Sequence, residues 1–186
     1  MVTIKVATLN INGLVSRTKL AMLDEFLRRQ EIDILLLQEV THPTFDTPRG
    51  YKSYFNVGTA GRGTALITRD EFTITNVKQL PSGRGIAAEY KGIRMINIYA
   101  PSGTAKRQER EHFYTSDFTY VLEGSPSNMI VGGDFNCIPN KSDTTGHFNY
   151  SKALDGLVRG LGLQDMCQAD LSRKISHIIP QPVPHE

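Results

Sequence analysis

A carboxylate and a carboxamide stand two residues apart in Gly133-Asp134-Phe135-Asn136, directly after the apolar run Met129-Ile130-Val131. Residues two apart on a strand point to the same side. A carboxylate only accepts hydrogen bonds, whereas an amide both donates and accepts. Side by side they can orient a water and a phosphoryl oxygen together. The same arrangement, an apolar run that ends in a polar residue, occurs three times earlier. It is seen in Thr8-Leu9-Asn10-Ile11-Asn12-Gly13-Leu14, in Leu37-Gln38-Glu39-Val40 and in Ile98-Tyr99-Ala100-Pro101. The repetition predicts one polar site built on the ends of several strands.

The chemistry within reach of such a set is attack of water on a phosphodiester. Asp134 could accept the proton of the attacking water, with Asn136 beside it; an Asx-type turn is the competing use of the pair. Glu39 could bind a hard divalent cation such as Mg²⁺, with waters and a phosphate filling the shell, or it could be a solvent-facing strand-end charge. Asn10 and Asn12 alternate to one side of the first strand and could hold a phosphate oxygen. Asn12-Gly13 is also a turn signal. The Tyr99 phenol either donates to phosphate or packs in the core with its hydroxyl at the rim. Arg62 and Arg84, both in Gly-rich turns, could touch phosphates or be solvated. Asp143 and His147 are further candidates, although Asp143-Thr144-Thr145-Gly146 also reads as an ordinary turn.

These residues need strands and helices to position them. Residues 3–10 read as a strand and 18–30 as an amphipathic helix, with Leu20, Leu23, Phe26 and Leu27 on one face. Ile32 to Val40 is apolar almost throughout, as expected of a strand buried on both faces. A Gly-rich, aromatic region through Tyr51 and Tyr54 leads into strand-like Thr64–Thr68. Phe72–Leu80, Gly85–Tyr90 and Ile93–Tyr99 then read as an antiparallel meander. Residues 106–123 predict a helix, Met129–Gly133 a strand, and Leu154, Leu157, Val158 and Leu161 a second clear helix ending at Gly162. The fold class is therefore α/β or α+β, with two sheets packed face to face and helices outside.

Bulk properties narrow the function. A chain of 186 residues suits one domain, and a net charge of +2 disfavours a polybasic binder. Cys137 and Cys167 suggest neither a disulfide framework nor a zinc site, and reduced thiols in an intracellular protein are the plainer reading. The N-terminus lacks the apolar core of a signal peptide, and no stretch is long enough to span a membrane. No obligate protein partner is evident.

Taken in order, the motifs resemble the endonuclease/exonuclease/phosphatase superfamily, and most closely the endonuclease domains of non-LTR retrotransposons. Thr8–Leu14 resembles the first motif of that group. Leu37-Gln38-Glu39, Asn97-Ile98-Tyr99-Ala100-Pro101 and Gly132-Gly133-Asp134-Phe135-Asn136 resemble the next three. Phe148-Asn149-Tyr150-Ser151 and Leu163-Gln164-Asp165-Met166 also fit. The resemblance implies a four-layer, DNase-I-like sandwich and Mg²⁺-dependent (or Mn²⁺-dependent) nicking of double-stranded DNA for retrotransposition, with a nuclear location for access to DNA. It implies metal binding by Glu39, support of the metal and phosphate site by Asn10, and phosphate contact by Tyr99; Asn12 is a further supporting candidate. It implies water activation by Asp134 and phosphate binding by Asn136.

The group also carries a later Ser-Arg-Ile-Asp strand and a final Ser-Asp-His or Thr-Asp-His. Neither occurs here, and Ser176-His177 is not carried over as the catalytic histidine. The expectation is an endonuclease domain over 1–170 missing its final strands, followed by a divergent, disordered tail over 171–186. Activity is expected to be weakened or absent. A catalytically silent remnant and a phosphatase of the same superfamily are the alternatives.

Overall fold

Ile34, Leu36, Leu66, Ile86, Ala88, Tyr90 and Met95 pack into one apolar layer. Their immediate neighbours in sequence pack elsewhere. Leu35, Leu37, Ala65 and Ile67 join Leu23 and Leu27 in a second cluster. Ala87, Ile96 and Ile98 join Phe113, Tyr114, Phe118 and Val121 in a third. Alternate side chains of a strand face opposite ways, so three apolar layers on these strands require two stacked sheets, each with helical structure on its outer face. A computed structural model of the chain shows this arrangement and describes residues 3–13, 16–41, 45–58, 61–124, 128–138 and 150–166.

The first sheet contains β1 (Val6–Asn10), β2 (Ile34–Val40), β3 (Tyr51–Val57) and β4 (Gly63–Arg69), in the order β1-β2-β4-β3. The second contains β5 (Thr75–Gln79), β6 (Gly85–Tyr90), β7 (Ile93–Tyr99) and β8 (Met129–Asp134), in sequential order. Each sheet has one parallel pair, β1 with β2 and β7 with β8; the remaining neighbours are antiparallel. Parallel strands need a long crossover. Helix α1 (Arg17–Arg29) supplies it in the first sheet, and the helical segment 104–122 supplies it in the second.

Local sequence explains the ends of α1. The Ser16 hydroxyl accepts a hydrogen bond from the Lys19 amide at 3.2 Å and caps the N-terminus. Arg28 and Arg29 lie in the last turn, where the helix dipole favours cations, and each pairs with an acid four residues earlier. Leu23 and Leu27 are the buried stripe, each contributing roughly 1.5–3 kcal/mol by leaving water. Over 104–122 the chain runs from a short 3₁₀ turn through α2 (Arg107–His112), a π turn at Phe113–Asp117 and α3 (Phe118–Leu122). Helix α4 (Lys152–Gly160), capped by Ser151, packs through Leu154 on the same outer face.

The structure departs from the sequence reading in particular places. The predicted antiparallel meander is present as β5-β6-β7, whereas β4, just before it in the chain, belongs to the first sheet. Strand β3 was hidden in the Gly-rich, aromatic region, because as an edge strand it is only partly buried and its alternation is weak. The predicted helix 106–123 contains a π turn instead of a uniform α-helix. Residues Asp143, His147, Phe148, Asn149 and His177 and the tail 171–186 lie outside the described residues.

Polar groups also cross between the sheets. Buried Asn97 of β7 donates through Nδ2 to the carbonyls of Leu37 and Ala65 in the first sheet, both at 2.9 Å. Buried Gln38 of β2 donates back to Asn97 Oδ1 at 2.7 Å, and to Thr8 Oγ1 at 3.0 Å and the Leu36 carbonyl at 2.8 Å. Buried amides are costly unless satisfied, so this network specifies how one sheet seats on the other. Asn97→Ala is expected to lower unfolding free energy by about 2–4 kcal/mol, since it opens a void and removes the side-chain donor to the Leu37 and Ala65 carbonyls. Urea melts would check this. A loss below about 1 kcal/mol would mean that the apolar layer alone sets the seating.

Candidate functional site

The two parallel pairs bring the C-terminal ends of β1, β2, β7 and β8 to one edge of the sandwich. Asn10 stands opposite Gln38 in register, and Tyr99 opposite Asp134. The Asn10 amide nitrogen donates to Glu39 Oε1 at 3.0 Å and to Asp134 Oδ2 at 2.8 Å. One amide therefore joins carboxylates from two different sheets. It is itself oriented by Oδ1, which accepts the Asn12 backbone N–H at 2.9 Å.

The backbone is bent to aim these groups. Glu39 lies at a register shift between Gln38 and Val40, with φ of 59°. That extra residue turns its carboxylate out of the ladder and toward Asn10. Asn12 (φ 47°) and Asn136 (φ 49°) also occupy the left-handed region, which an Asn side chain tolerates by bonding locally. Non-glycine residues rarely adopt this conformation, and such residues cluster at functional sites. Gly133 has φ of 138°, and a Cβ there would lie 2.0 Å from the Ile98 carbonyl oxygen. No side chain fits, so β8 can approach β7 this closely only with glycine before Asp134.

Asp134 Oδ1 accepts the Asn136 N–H at 3.0 Å, and Asn136 Nδ2 donates to the Ala100 carbonyl at 2.9 Å. The Ala100 N–H donates to the Asp134 carbonyl at 2.9 Å. The Asx turn that competed with a functional reading of this pair is thus present, and it is what holds the two side chains in place. Tyr99 is largely buried. The Arg84 guanidinium lies 5.2 Å from its ring centre and donates to its carbonyl at 3.3 Å. Arg62 donates to Glu39 Oε2. Asn12 is exposed and contributes a main-chain turn, its carbonyl accepting from Lys19.

Other residues support the site that the sequence reading passed over. Lys19 Nζ donates to the carbonyls of Ile11, Asn12 and Gly13 at 3.1, 2.7 and 2.6 Å, pinning the loop after β1 to α1. Buried Arg110 donates to the carbonyls of Pro101 and Gly103 at 2.9 and 3.2 Å and pins the loop after β7. Tyr114 donates to the Phe135 carbonyl at 2.6 Å, between the two polar residues of the last motif. Arg110 lies in the charged run Lys106 to His112, which reads most simply as the exposed face of a helix, and Lys19 lies in α1; nothing in their spacing set them apart.

The donor set around Asn10 suits a hard cation. It offers the oxygens of two carboxylates, with neither thiol nor imidazole among the contacts described. Among the described residues no three His, Cys, Asp or Glu side chains gather to hold an ion.

A family model for the endonuclease/exonuclease/phosphatase family matches residues 7–170, and the match contains every strand-end motif of this site. The chain belongs to that family. Members include nucleases and phosphatases, which are hydrolases. Similar folds occur in an AP endonuclease from Archaeoglobus fulgidus (22% identity, TM-score 0.67), covering 86% of this chain and 70% of that one. The 3′ phosphatase NExo from Neisseria, solved with a product DNA hairpin, is similar at 22% identity and TM-score 0.68, with 86% and 70% covered. The endonuclease domain of TRAS1, a telomere-specific non-LTR retrotransposon, is similar at 17% identity and TM-score 0.62, with 86% and 72% covered. Among the described residues, no helix is long and apolar enough to cross a membrane.

Burial pushes the Tyr114 phenol above its ordinary range, with Cys137, 3.6 Å from its hydroxyl, adding to the effect. An unfolded tyrosine ionises near pH 10. The native state holds the proton longer, so the Tyr114 contribution is complete below about pH 10 and declines as pH rises beyond it. Tyr114→Phe is expected to cost about 1 kcal/mol at pH 8 and to flatten the fall in stability between about pH 10 and 11.5. Denaturant melts across that range would show it; an unchanged alkaline slope would count against this role.

Proposed function

We propose that this chain carries a Mg²⁺-dependent endonuclease site that nicks double-stranded DNA, of the kind used by non-LTR retrotransposons. The observation that carries the reading is the Asn10 amide shared between Glu39 and Asp134. It joins the cation ligand to the proton acceptor, groups that phosphodiester hydrolysis needs close together.

Glu39 would hold the ion, with Asn10 and Asp134 next to it; Mg²⁺, when bound, neutralises charge on the phosphate. Mn²⁺ fits the same oxygen donors. Asp134 takes the proton from the attacking water. Two donors, Asn10 Nδ2 and the Asn136 N–H, fix that carboxylate's direction before substrate arrives. Asn136, held by the Ala100 carbonyl, faces the phosphate, and the Tyr99 hydroxyl donates to a phosphate oxygen. Asn12 shapes the loop that keeps Asn10 in place. The Asp-His motif of the resembling endonucleases is not among these 186 residues. One such transition-state donor is worth about 10²–10³ in rate, so these 186 residues alone are expected to be slower by that factor.

The test is Mg²⁺-dependent nicking of supercoiled plasmid by this chain and by Asp134→Ala. The parent chain is expected to nick slowly, and the variant to be slower by a further factor of about 10²–10⁴. No nicking by a cooperatively folding parent chain would overturn the reading in favour of a silent remnant. Phosphate release from inositol polyphosphates with plasmid left intact would favour a phosphatase.

A further inference from the structure

Both oxygens of the Glu39 carboxylate are occupied by protein donors. Oε1 accepts from Asn10 and Oε2 accepts from Arg62. A cation that takes one oxygen must displace a donor, and the two donors are held very differently. The Asn10 side chain is fixed at both ends, by the Asn12 N–H on its oxygen and by Asp134 on its nitrogen. Arg62 reaches Glu39 from the turn before β4 on a long side chain that is 46% exposed, whereas Glu39 is 15% exposed. An ion pair with one well-solvated partner is weak, so Arg62 is the donor that yields.

The base of that side chain is anchored beside the site. Gly61 donates to the Gly58 carbonyl at 3.2 Å, and the Gly58 backbone packs against Gly83 so closely that a Cβ on Gly83 would meet the Gly58 nitrogen at 2.2 Å. Thr64, two residues beyond Arg62, donates to the Gly83 carbonyl at 3.1 Å. The turn that carries Arg62 is thus joined to the turn that carries Arg84, whose guanidinium stacks on Tyr99. A guanidinium released from Glu39 stays within a side chain's length of the carboxylate. Its planar fork of N–H donors matches phosphate oxygens.

We propose that Arg62 is an exchangeable counter-ion: it holds the Glu39 carboxylate when no cation is bound, and it passes to a DNA phosphate when a divalent cation takes that place. The proposal rests on the reading of Glu39 as the cation ligand. Arg62 then lowers the affinity of the free protein for cation while raising the affinity of the cation-loaded protein for DNA. A residue that only supported the fold would weaken both.

The experiment titrates Mn²⁺ alone, followed by the paramagnetic signal of the free ion, into the parent chain, Arg62→Ala and Arg62→Lys. It then measures binding of a short DNA duplex in Ca²⁺ at several salt concentrations. Arg62→Ala is expected to bind Mn²⁺ about two- to fivefold more tightly than the parent, the equivalent of losing a weak surface ion pair. The same variant is expected to bind DNA more weakly, with a salt slope smaller by about one. Arg62→Lys keeps the charge and should lie between the two. Mn²⁺ binding by Arg62→Ala at or below parental affinity would overturn the exchange while leaving the cation reading intact. Tighter Mn²⁺ binding with an unchanged DNA salt slope would overturn the transfer to phosphate. If neither the parent nor the variants bind Mn²⁺ although all melt cooperatively, the cation reading of Glu39 fails and the exchange falls with it.

Discussion

Two buried amides, Gln38 and Asn97, decide how the sheets meet. Apolar layers slide easily, because burial rewards area without direction. Hydrogen bonds are directional, and unmade ones in the interior are expensive. Asn97 reaches the carbonyls of Leu37 and Ala65, and Gln38 reaches back to Asn97. A shift of one sheet over the other would break these bonds before it disturbed much apolar area. The site needs that precision. Asn10 and Glu39 belong to one sheet and Asp134 to the other, and the Asn10 amide can serve both carboxylates only in one seating.

The interior amides lie next to the strand-end polar groups in the chain. Gln38 precedes Glu39, and Asn97 precedes Tyr99 by two residues. The same strands therefore fix the sheets and then present the polar groups a residue or two later. Three of the four site strands leave regular geometry at their ends, β2 by a bulge at Glu39 and β1 and β8 by left-handed residues at Asn12 and Asn136. Such conformations cost of order 1–3 kcal/mol each. Lys19, Arg110 and Tyr114 supply the compensating bonds, each to a backbone carbonyl of a loop that follows a site strand.

Much of this was legible in the sequence. A strand buried on both faces has a plain signature, and Ile32–Val40 showed it. The polar residues ending four apolar runs marked the edge where Asn10, Glu39, Tyr99 and Asp134 stand. Pairing between strands was less legible. Nothing local says that β3 and β4 belong with β1 and β2, because sheet membership is settled by packing across the sandwich. The supporting cations were also hidden. Lys19 and Arg110 occupy helical positions that a solvated charge would fill equally well, and only the approach of loops distant in sequence distinguishes them. Asn97 was visible as an amide inside an apolar run, although its partners in the other sheet were not.

The π turn at Phe113–Asp117 lies on the outer face of the second sheet, between α2 and α3. A π turn holds one residue more than the α-helix around it, and one residue of helix corresponds to about 100° of rotation. Upstream of it, Arg110 faces inward to the loop after β7; downstream, Phe118 and Val121 face inward to the sheet. The additional residue keeps both halves in phase with a single surface. Deleting one residue here would leave a more regular helix, yet it would rotate one half against the other and carry either the arginine or the aromatic stripe away from the sheet. The segment therefore tolerates substitution more readily than a change of length, and a helix-straightening deletion would be felt at the sheet edge that carries Asp134 through Pro101 and Ala100.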